Sequence, residues 1–308
     1  MKINGIHFAI LTTIVSGISI FINKYAVSAI QPALVFTTVK NSAVALLVFA
    51  LIIFSKKISL IKKLKSREIK YLLSIGLVGG FLPFYLYFTG LSLVPAINAA
   101  LIHKTLVVWV AILAIPLLKE KLSRLQIIAT TLLFFGNLFI GGFTKFQFSI
   151  GELMILVATI FWAVENILAK KILSTVDPDL VVAARLGIGS LMLLTASIIF
   201  YPKSILNLPG LSSSQLFWLS ATIITLFLYT TTWYRALKFA PVTVVTSVLV
   251  ASTLITNLLS VIFVTHNWLV LFTLPSLTIF LGFCLFLYSL KPLLSNTQAS
   301  PLPLESVS

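Results

Sequence analysis

The chain has 308 residues, of which 59% are hydrophobic and only 9% carry a charge, and its mean hydropathy is +1.11. A water-soluble domain of this length needs far more polar surface, so a soluble enzyme or a soluble binding domain is excluded. The composition predicts an all-α membrane protein whose first partner is the lipid bilayer.

Hydrophobic stretches long enough to span a membrane follow one another along the chain. A bilayer core about 30 Å thick needs about 20 apolar residues per helix. The connections are short except for 55–70 and 201–214, and the polar, Pro- and Ser-rich end predicts a disordered cytoplasmic tail over 293–308. We predict ten transmembrane helices, at 5–23, 32–54, 71–93, 95–118, 125–142, 151–172, 179–200, 215–237, 241–263 and 268–290.

The chain repeats itself with a constant offset of 146 residues. We therefore predict two five-helix repeats, over 1–146 and 147–292. Because five is odd, the repeats must cross the membrane in opposite directions, and inverted repeats are typical of transporters with a central substrate site. The alternative is a duplication that only builds a scaffold. Without any gap, the offset superposes Gly5 on Gly151, Lys24 on Lys170, Pro32 on Pro178, Pro95 on Pro241, and Gly136 on Gly282.

Lys and Arg residues predict the orientation. If the N-terminus is cytoplasmic, the outer side keeps only Lys24, Lys145 and Lys203. This bias follows the positive-inside rule, places both termini in the cytoplasm, and accounts for the net charge of +15 without nucleic acid. The basic loop over 56–70 could alternatively bind anionic lipid. The inner side then holds Lys2, the seven Lys and Arg residues of 56–70, Lys119, Lys121, Arg124, Lys170, Lys171, Arg235, Lys238 and Lys291.

One segment, "PLLKEKLSRLQIIATTLLFFGNLFI" (116–140), resembles the signature of the EamA family in the drug/metabolite transporter superfamily. In that family a Pro near the end of the fourth helix precedes a charged turn, and the fifth helix has a central Gly. The corresponding residues here are Pro116, Glu120-Lys121 and Gly136.

A second segment, "GELMILVATIFWAVENILAKKIL" (151–173), resembles the opening of that family's second repeat. Arg185 looks like the family's basic residue near the start of the seventh helix. The resemblance covers about 5–290, although the second repeat departs from the charged-turn pattern at His266-Asn267.

The resemblance implies ten helices with cytoplasmic termini in the cytoplasmic membrane, and export or exchange of small metabolites. We expect alternating-access transport of amino acids or related carboxylated solutes, with a coupled proton as an option. The sequence has no metal-spaced cluster, no phosphate loop and only seven carboxylates, so we predict no catalytic residue, no metal and no cofactor. The alternative is a non-transporting membrane subunit or a lipid-modifying membrane enzyme.

Polar residues follow one face of the first predicted helix. Thr12, Ser16, Ser19 and Asn23 are spaced i, i+4, i+7 and i+11, so they lie on one stripe. Small polar residues can join helices by hydrogen bonds, or they can line a substrate path. We assign Ser16 and Ser19 to the path.

The offset maps this stripe onto the sixth predicted helix, where Trp162 and Glu165 take the places of Ser16 and Ser19. The ninth helix carries a similar stripe that includes Thr253 and Asn257. Because the stripes recur in related helices, we predict one shared polar cavity that these side chains line.

Two lysines lie deep inside predicted spans. At a rise of about 1.5 Å per residue, Lys104 is about 13 Å past Pro95 and Lys40 about 12 Å past Pro32. A lysine at the centre of a span costs about 3 kcal/mol, so we predict that both face a wet substrate path and offer positive charge to an anionic group.

His103 precedes Lys104 but lies about 100° around the helix from it. We expect His103 to pack against a neighbouring helix and bond a carbonyl, with proton coupling or gating as the alternative. Glu165 and Arg185 lie at similar depth on consecutive helices. They predict either a structural ion pair or a gate, whereas Glu152 is expected at a span end that water reaches.

The eighth predicted helix carries Tyr229, Trp233 and Tyr234. Tyr229 is assigned to the substrate path. Trp233 and Tyr234 could also contact substrate, but anchoring at the membrane interface explains these two equally well. Gly76, Gly80 and Pro83 of the third helix indicate close helix packing and a kink.

Overall fold

The structure, a computed structural model, describes residues 3–140 and 148–298. Within these ranges the chain is helical and contains no strand. Nine of the described helices are long and apolar enough to cross a membrane, and a shorter helix that begins at Arg124 is also apolar. The ten helices are α1 (Ile3–Ala29), α2 (Ala33–Phe54), α3 (Ser66–Leu91), α4 (96–118), α5 (Arg124–Ile140), α6 (Ile150–Ile172), α7 (Pro178–Phe200), α8 (Ser213–Phe239), α9 (Val242–Thr265) and α10 (Leu274–Gln298).

The starts of the second-repeat helices follow from local sequence. Ser149 and Ser212 each accept a hydrogen bond from the backbone N–H three residues later, in capping boxes that open α6 and α8. Asp177 caps α7, where Pro178 occupies the first turn and needs no hydrogen-bond donor.

The last helix differs from the prediction at both ends. α10 begins at Leu274, and a 3₁₀ turn over Trp268–Phe272 precedes it. Pro275 explains the start, because a proline fits the first turn of a helix but would disrupt its interior. α10 continues to Gln298, so it includes the first part of the predicted tail, whereas 299–308 lies outside the described residues.

Three of the spans are irregular in the middle. α3 contains a π-helical segment at Gly76–Phe81. α4 is interrupted at Thr105 and α9 at Ala251, where backbone N–H groups bond three residues back instead of four. Thr105 and Ala251 are separated by the repeat offset of 146 residues, so both fourth helices of the repeats break at the same position.

The packing follows the repeat. α1 packs on α8 and, equivalently, α6 packs on α3. In the same way, α4 packs on α6 and α9 packs on α1. α2 packs on α7 and α5 packs on α10, and in each of these two pairs one helix is the repeat equivalent of the other. The two five-helix repeats are therefore inverted and interlocked around one axis.

Superposed glycines make equivalent contacts. A Cβ on Gly136 would meet Ile279 and Pro275, and one on Gly282 would meet Leu133 and Ala129. These partners are also related by the offset of 146 residues. The glycines therefore let α5 and α10 approach closely, which explains why the repeat shows in the sequence as matched Gly residues.

Candidate functional site

The centre of the site is the π-helical segment of α3. The Gly79 carbonyl accepts hydrogen bonds from Trp162 Nε1 of α6 and from Arg185 Nε of α7, each at 3.3 Å. Pro83, four residues later, has no N–H to offer that carbonyl, so Gly79 is free to bind side chains from other helices. A Cβ on Gly79 would lie 2.2 Å from Glu165 Cγ, so only glycine fits there.

Glu165 and Arg185 are both buried beside this carbonyl. Glu165 Oε1 accepts a short hydrogen bond from the Tyr234 hydroxyl of α8. The Arg185 guanidinium lies 5.9 Å from the Tyr234 ring centroid and 5.8 Å from that of Phe84. No ion pair within 4.0 Å joins Glu165 to Arg185 among the described residues. Of the two alternatives, the structure does not form the direct ion pair, and Tyr234 contacts both residues.

Trp162 connects this cluster to α4. Its ring centroid is 4.8 Å from His103, 5.6 Å from Tyr87 and 5.4 Å from Phe84. His103 packs against the neighbouring helix as expected, but its Nδ1 is buried without a hydrogen-bond partner in the described part of the chain. The predicted carbonyl partner is absent there. Trp162 thus connects the Gly79 carbonyl, which it shares with Arg185, to His103 beside the α4 interruption.

Lys104 is the last residue of the first half of α4, directly before the interruption at Thr105. Its side chain is partly exposed, and its ammonium has no hydrogen bond or ion pair to any residue that the structure describes. The Thr105 hydroxyl donates to the Ile102 carbonyl and accepts from Trp109, which stabilises the 3₁₀ turn. In membrane transporters, interrupted helices with polar groups at the break commonly form the substrate site.

Lys40 has a different environment. It is buried on α2, donates to Asn23 Oδ1 of α1 at 3.1 Å, and lies 4.8 Å from the Phe36 ring centroid. Asn23 in turn donates to Ser19. α2 packs mainly on α7 and α8, and α4 packs mainly on α6 and α9, although both helices also contact α3. Lys40 nevertheless has only a neutral partner for its charge.

Two further buried polar residues of α2 stand beside Lys40. The side-chain atoms of Asn41 and the hydroxyl of Thr37 are sealed from solvent and have no hydrogen-bond partner among the described residues. An unpaired buried polar group costs about 1–3 kcal/mol, so such groups call for an explanation such as water or a ligand.

The other predicted path residues divide into two groups. Ser16 is buried and Ser19 partly exposed, and both lie on the α1 face that reaches α8 through the hydrogen bond from Thr12 to Thr232. Thr253 donates a short hydrogen bond to Asn137 of α5, which identifies a helix-joining contact. Asn257 Nδ2 is buried without a partner in the described chain.

The aromatic residues Trp233 and Tyr234 of α8 are buried inside the bundle. Trp233 is buried and donates to Asn166 at 3.2 Å, and Tyr229 stacks on it at 5.9 Å between ring centroids. Tyr234 is also buried against Glu165. Burial against protein groups favours a role inside the bundle over anchoring in lipid for Trp233 and Tyr234.

Glu152 also differs from the expectation. It is buried, closes the capping box of α6, and accepts a hydrogen bond from Asn98 of α4 at 2.9 Å. It therefore joins two helices instead of facing water. Among the described residues, no group of three His, Cys, Asp or Glu side chains could hold a metal ion.

An ion-pair cluster joins helix ends on the Lys- and Arg-rich side. Asp179 accepts from Lys57 at 2.6 Å and from Arg235 at 2.7 Å, and Asp177 accepts from Lys57 at 3.0 Å. Burial alone would lower the pKa of Lys57, but hydrogen bonds and charges from Asp179 and Asp177 outweigh it and raise that pKa. The cluster ties the connection after α2 to the start of α7 and the end of α8.

The sequence analysis missed Gly79, Tyr87 and the α4 interruption. The position of Pro83 four residues after Gly79 was the available signal for the free carbonyl. Tyr234 was left open between substrate contact and interfacial anchoring, and its bond to Glu165 was not predicted. The structure brings together Trp162, Glu165, Arg185 and His103.

An integral membrane protein with ten inverted-repeat helices, an interrupted α4 and buried charges at its centre belongs to the class of membrane transporters. The EamA-like transporter family model matches residues 3–142 and 149–267, and the chain belongs to this family. The two matches correspond to the two halves of the fold.

One curated protein and one solved structure are also similar to this chain. The "Uncharacterized transporter YyaM" of Bacillus subtilis (strain 168) is 26% identical over 217 residues, covering 68% of this chain and 70% of that protein. A solved structure described as "Crystal structure of protein" has a TM-score of 0.72 at 17% identity, covering 97% of this chain and all of that one. That likeness concerns the fold alone.

Proposed function

We propose that the protein exports or exchanges a small carboxylated solute, such as an amino acid, across the cytoplasmic membrane by alternating access. Lys104 carries this proposal. It is a half-buried lysine whose ammonium has no partner in the described chain, and it stands at the break of α4 one residue from His103. In a site of low dielectric constant such a charge binds a carboxylate far more strongly than it does in water.

The rings that contact His103, the residue before Lys104, suit the rest of a small solute. Trp162 and Tyr87, which flank His103, supply apolar ring surface. Ligand sites typically combine apolar and aromatic walls with a few polar groups that set orientation. A single lysine also permits release, since it lacks the two-pronged geometry with which arginine holds a carboxylate.

Glu165 is proposed as the group that couples transport to a proton. It is buried, it bonds Tyr234, and Arg185 lies nearby without forming a direct ion pair within 4.0 Å. A carboxyl group that exchanges a neutral and a charged form in this position would change its contact with Tyr234 and the field at Arg185. Buried acidic groups inside membrane spans commonly act as proton relays.

The direct test is counterflow in proteoliposomes. Vesicles containing the purified protein are loaded with unlabelled amino acids, purines or organic acids, and uptake of the labelled solute is followed. We expect counterflow for at least one carboxylated solute. Counterflow restricted to uncharged solutes would contradict the substrate class, and its complete absence across the panel would favour a non-transporting subunit or a lipid-modifying enzyme.

The proton role has its own test. Glu165→Gln should remove the dependence of counterflow on pH, because glutamine keeps the shape but cannot titrate. Glu68→Gln is the matched control, since Glu68 caps the start of α3 away from the bundle centre. If Glu165→Gln keeps the wild-type pH profile, Glu165 is a structural partner of Tyr234 only.

A further inference from the structure

The end of α4 is attached to the start of α9 by Glu120. One carboxylate oxygen accepts from the Val242 N–H at 2.7 Å, and the other accepts from the N–H and the hydroxyl of Thr243 at 3.0 and 2.7 Å. The residue before α9 is Pro241, whose side chain cannot cap the helix. Glu120 therefore supplies the cap from another helix, where the helix dipole also favours its negative charge.

The backbone before Glu120 positions its side chain. Lys119 adopts a left-handed conformation with φ 56°, which is uncommon for a residue with a side chain. It ends α4 and turns the chain. Glu120, the residue that follows this left-handed position, makes three hydrogen bonds to α9.

Lys170 binds the same α8–α9 turn through its carbonyl groups. At the end of α6 it donates to the carbonyls of Leu237 and Ala240, at 2.5 and 2.6 Å. Lys170 thus occupies the C-terminal carbonyls of α8 while Glu120 occupies the first N–H groups of α9. The turn is held between charges from the two repeats.

The other end of the bundle lacks this attachment. The offset of 146 residues places His266 where Glu120 stands and Lys24 where Lys170 stands, and both are exposed. The second half of α4 packs on the first half of α9, but the related first half of α4 and second half of α9 make no comparable contact within the described residues. The molecule is therefore closed at the Lys- and Arg-rich end and less closed at the other.

From this asymmetry we infer that Glu120 is a gate residue, whose contact with the start of α9 must break for the solute path to open at the Lys- and Arg-rich end. The inference rests on the proposed alternating access. It assigns to Glu120 a role in setting the balance between two conformations, in addition to helix capping. Loss of the carboxylate removes an attachment that exists only in the closed arrangement, so it favours the open one.

Cysteine labelling tests the gate without any solute. Cys284, the only cysteine, is replaced by serine. Ser247→Cys then reports on the packing of the first half of α9, because Ser247 is buried there and its hydroxyl oxygen lies 3.0 Å from that of Thr130 of α5. A second reporter, Ser260→Cys, lies in the second half of α9, towards the other end.

Glu120→Gln should increase several-fold the labelling of Ser247→Cys by a membrane-impermeant maleimide added on the Lys- and Arg-rich side. It should also decrease labelling of Ser260→Cys from the other side. Glu68→Gln, at the start of α3 on the same side, should change neither. A folding defect would expose both reporters together and so contradict the gate. Unchanged labelling of both reporters in Glu120→Gln would also overturn the gate, and counterflow in that variant would show that transport itself still stands.

Discussion

The carbonyl oxygen of Gly79 lies 3.3 Å from Nε of Arg185, and this contact joins α3 to α7 inside the bundle. The bond exists because Pro83 cannot supply the N–H that a regular helix would place on that carbonyl. A buried arginine thereby gains a backbone partner while its guanidinium stays close to Tyr234 and Glu165. The π-helical segment of α3 is thus a positioning element for the charged centre.

Gly79→Ala tests this positioning. The new Cβ would collide with Glu165 Cγ, so α3 and α6 must separate or Glu165 must move. We expect a loss of stability of about 1–3 kcal/mol, as for other overpacked cores, and loss of pH-dependent counterflow. Thermal unfolding measures the loss of stability, and counterflow at several pH values measures the loss of pH dependence. Gly210→Ala is the control, because nothing lies within 4 Å of its added Cβ, and equal behaviour of the two variants would contradict the packing argument.

Asp179→Asn tests the ion-pair cluster. Asp179 is almost completely buried and accepts from both Lys57 and Arg235, so its removal leaves two cations without their shared partner. Breaking one member of a buried ionic cluster costs on the order of 3 kcal/mol. We expect a lower unfolding temperature for Asp179→Asn than for Asp177→Asn, since Asp177 is the more exposed acid and contacts Lys57 alone among the bases. Equal temperatures would contradict the central role of Asp179.

The raised pKa of Lys57 gives a pH dependence. A group whose pKa is raised on folding stabilises the fold fully below its unfolded value, 10.5, and loses that contribution as the pH rises through the folded value. Wild-type protein should therefore lose more stability above pH 10.5 than Lys57→Met does. Parallel unfolding curves over that range would show that the Lys57 charge does not contribute.

Lys40→Met should affect solute affinity less than Lys104→Met. Lys40 already donates to Asn23, and its helix packs mainly on α7 and α8, whereas α4 packs mainly on α6 and α9. A several-fold change in the KM of counterflow for Lys104→Met, against less than a factor of two for Lys40→Met, is the expected result. A larger effect at Lys40 would move the anion site to the α1–α2 side, beside the unpaired Asn41.

Topology can be measured with reporter fusions. The Lys and Arg bias and the odd helix number per repeat predict that both termini and 55–70 lie in the cytoplasm and that 201–214 lies outside. A reporter that works only outside the cytoplasm should be active when it is fused near Asn207. A cytoplasmic signal there would contradict the proposed orientation.

The sequence predicted the helices and the repeat well, because apolar length and matched Gly and Pro residues are local signals. It did not predict the interruptions at Thr105 and Ala251, since neither residue is a Gly or a Pro and the usual sequence cause of a kink is absent. Lys104 was identified by its depth alone.

The sequence also placed Glu165 and Arg185 near each other but not the hydroxyl between them. That arrangement depends on how α8 packs between α6 and α7, which no spacing within one helix can show. In the same way, the sequence identified Glu120 as part of a motif but did not predict that its carboxylate binds the first N–H groups of α9.

The account depends most directly on the charge of Lys104. Counterflow by wild-type protein, Lys104→Met and Lys104→Arg should be compared at matched amounts of reconstituted protein, using the carboxylated solute that the wild type carries. We predict a KM raised at least tenfold in Lys104→Met and partly restored in Lys104→Arg, because arginine keeps the charge with a different shape and hydration. An unchanged KM in Lys104→Met would contradict the claim that this lysine recognises the solute.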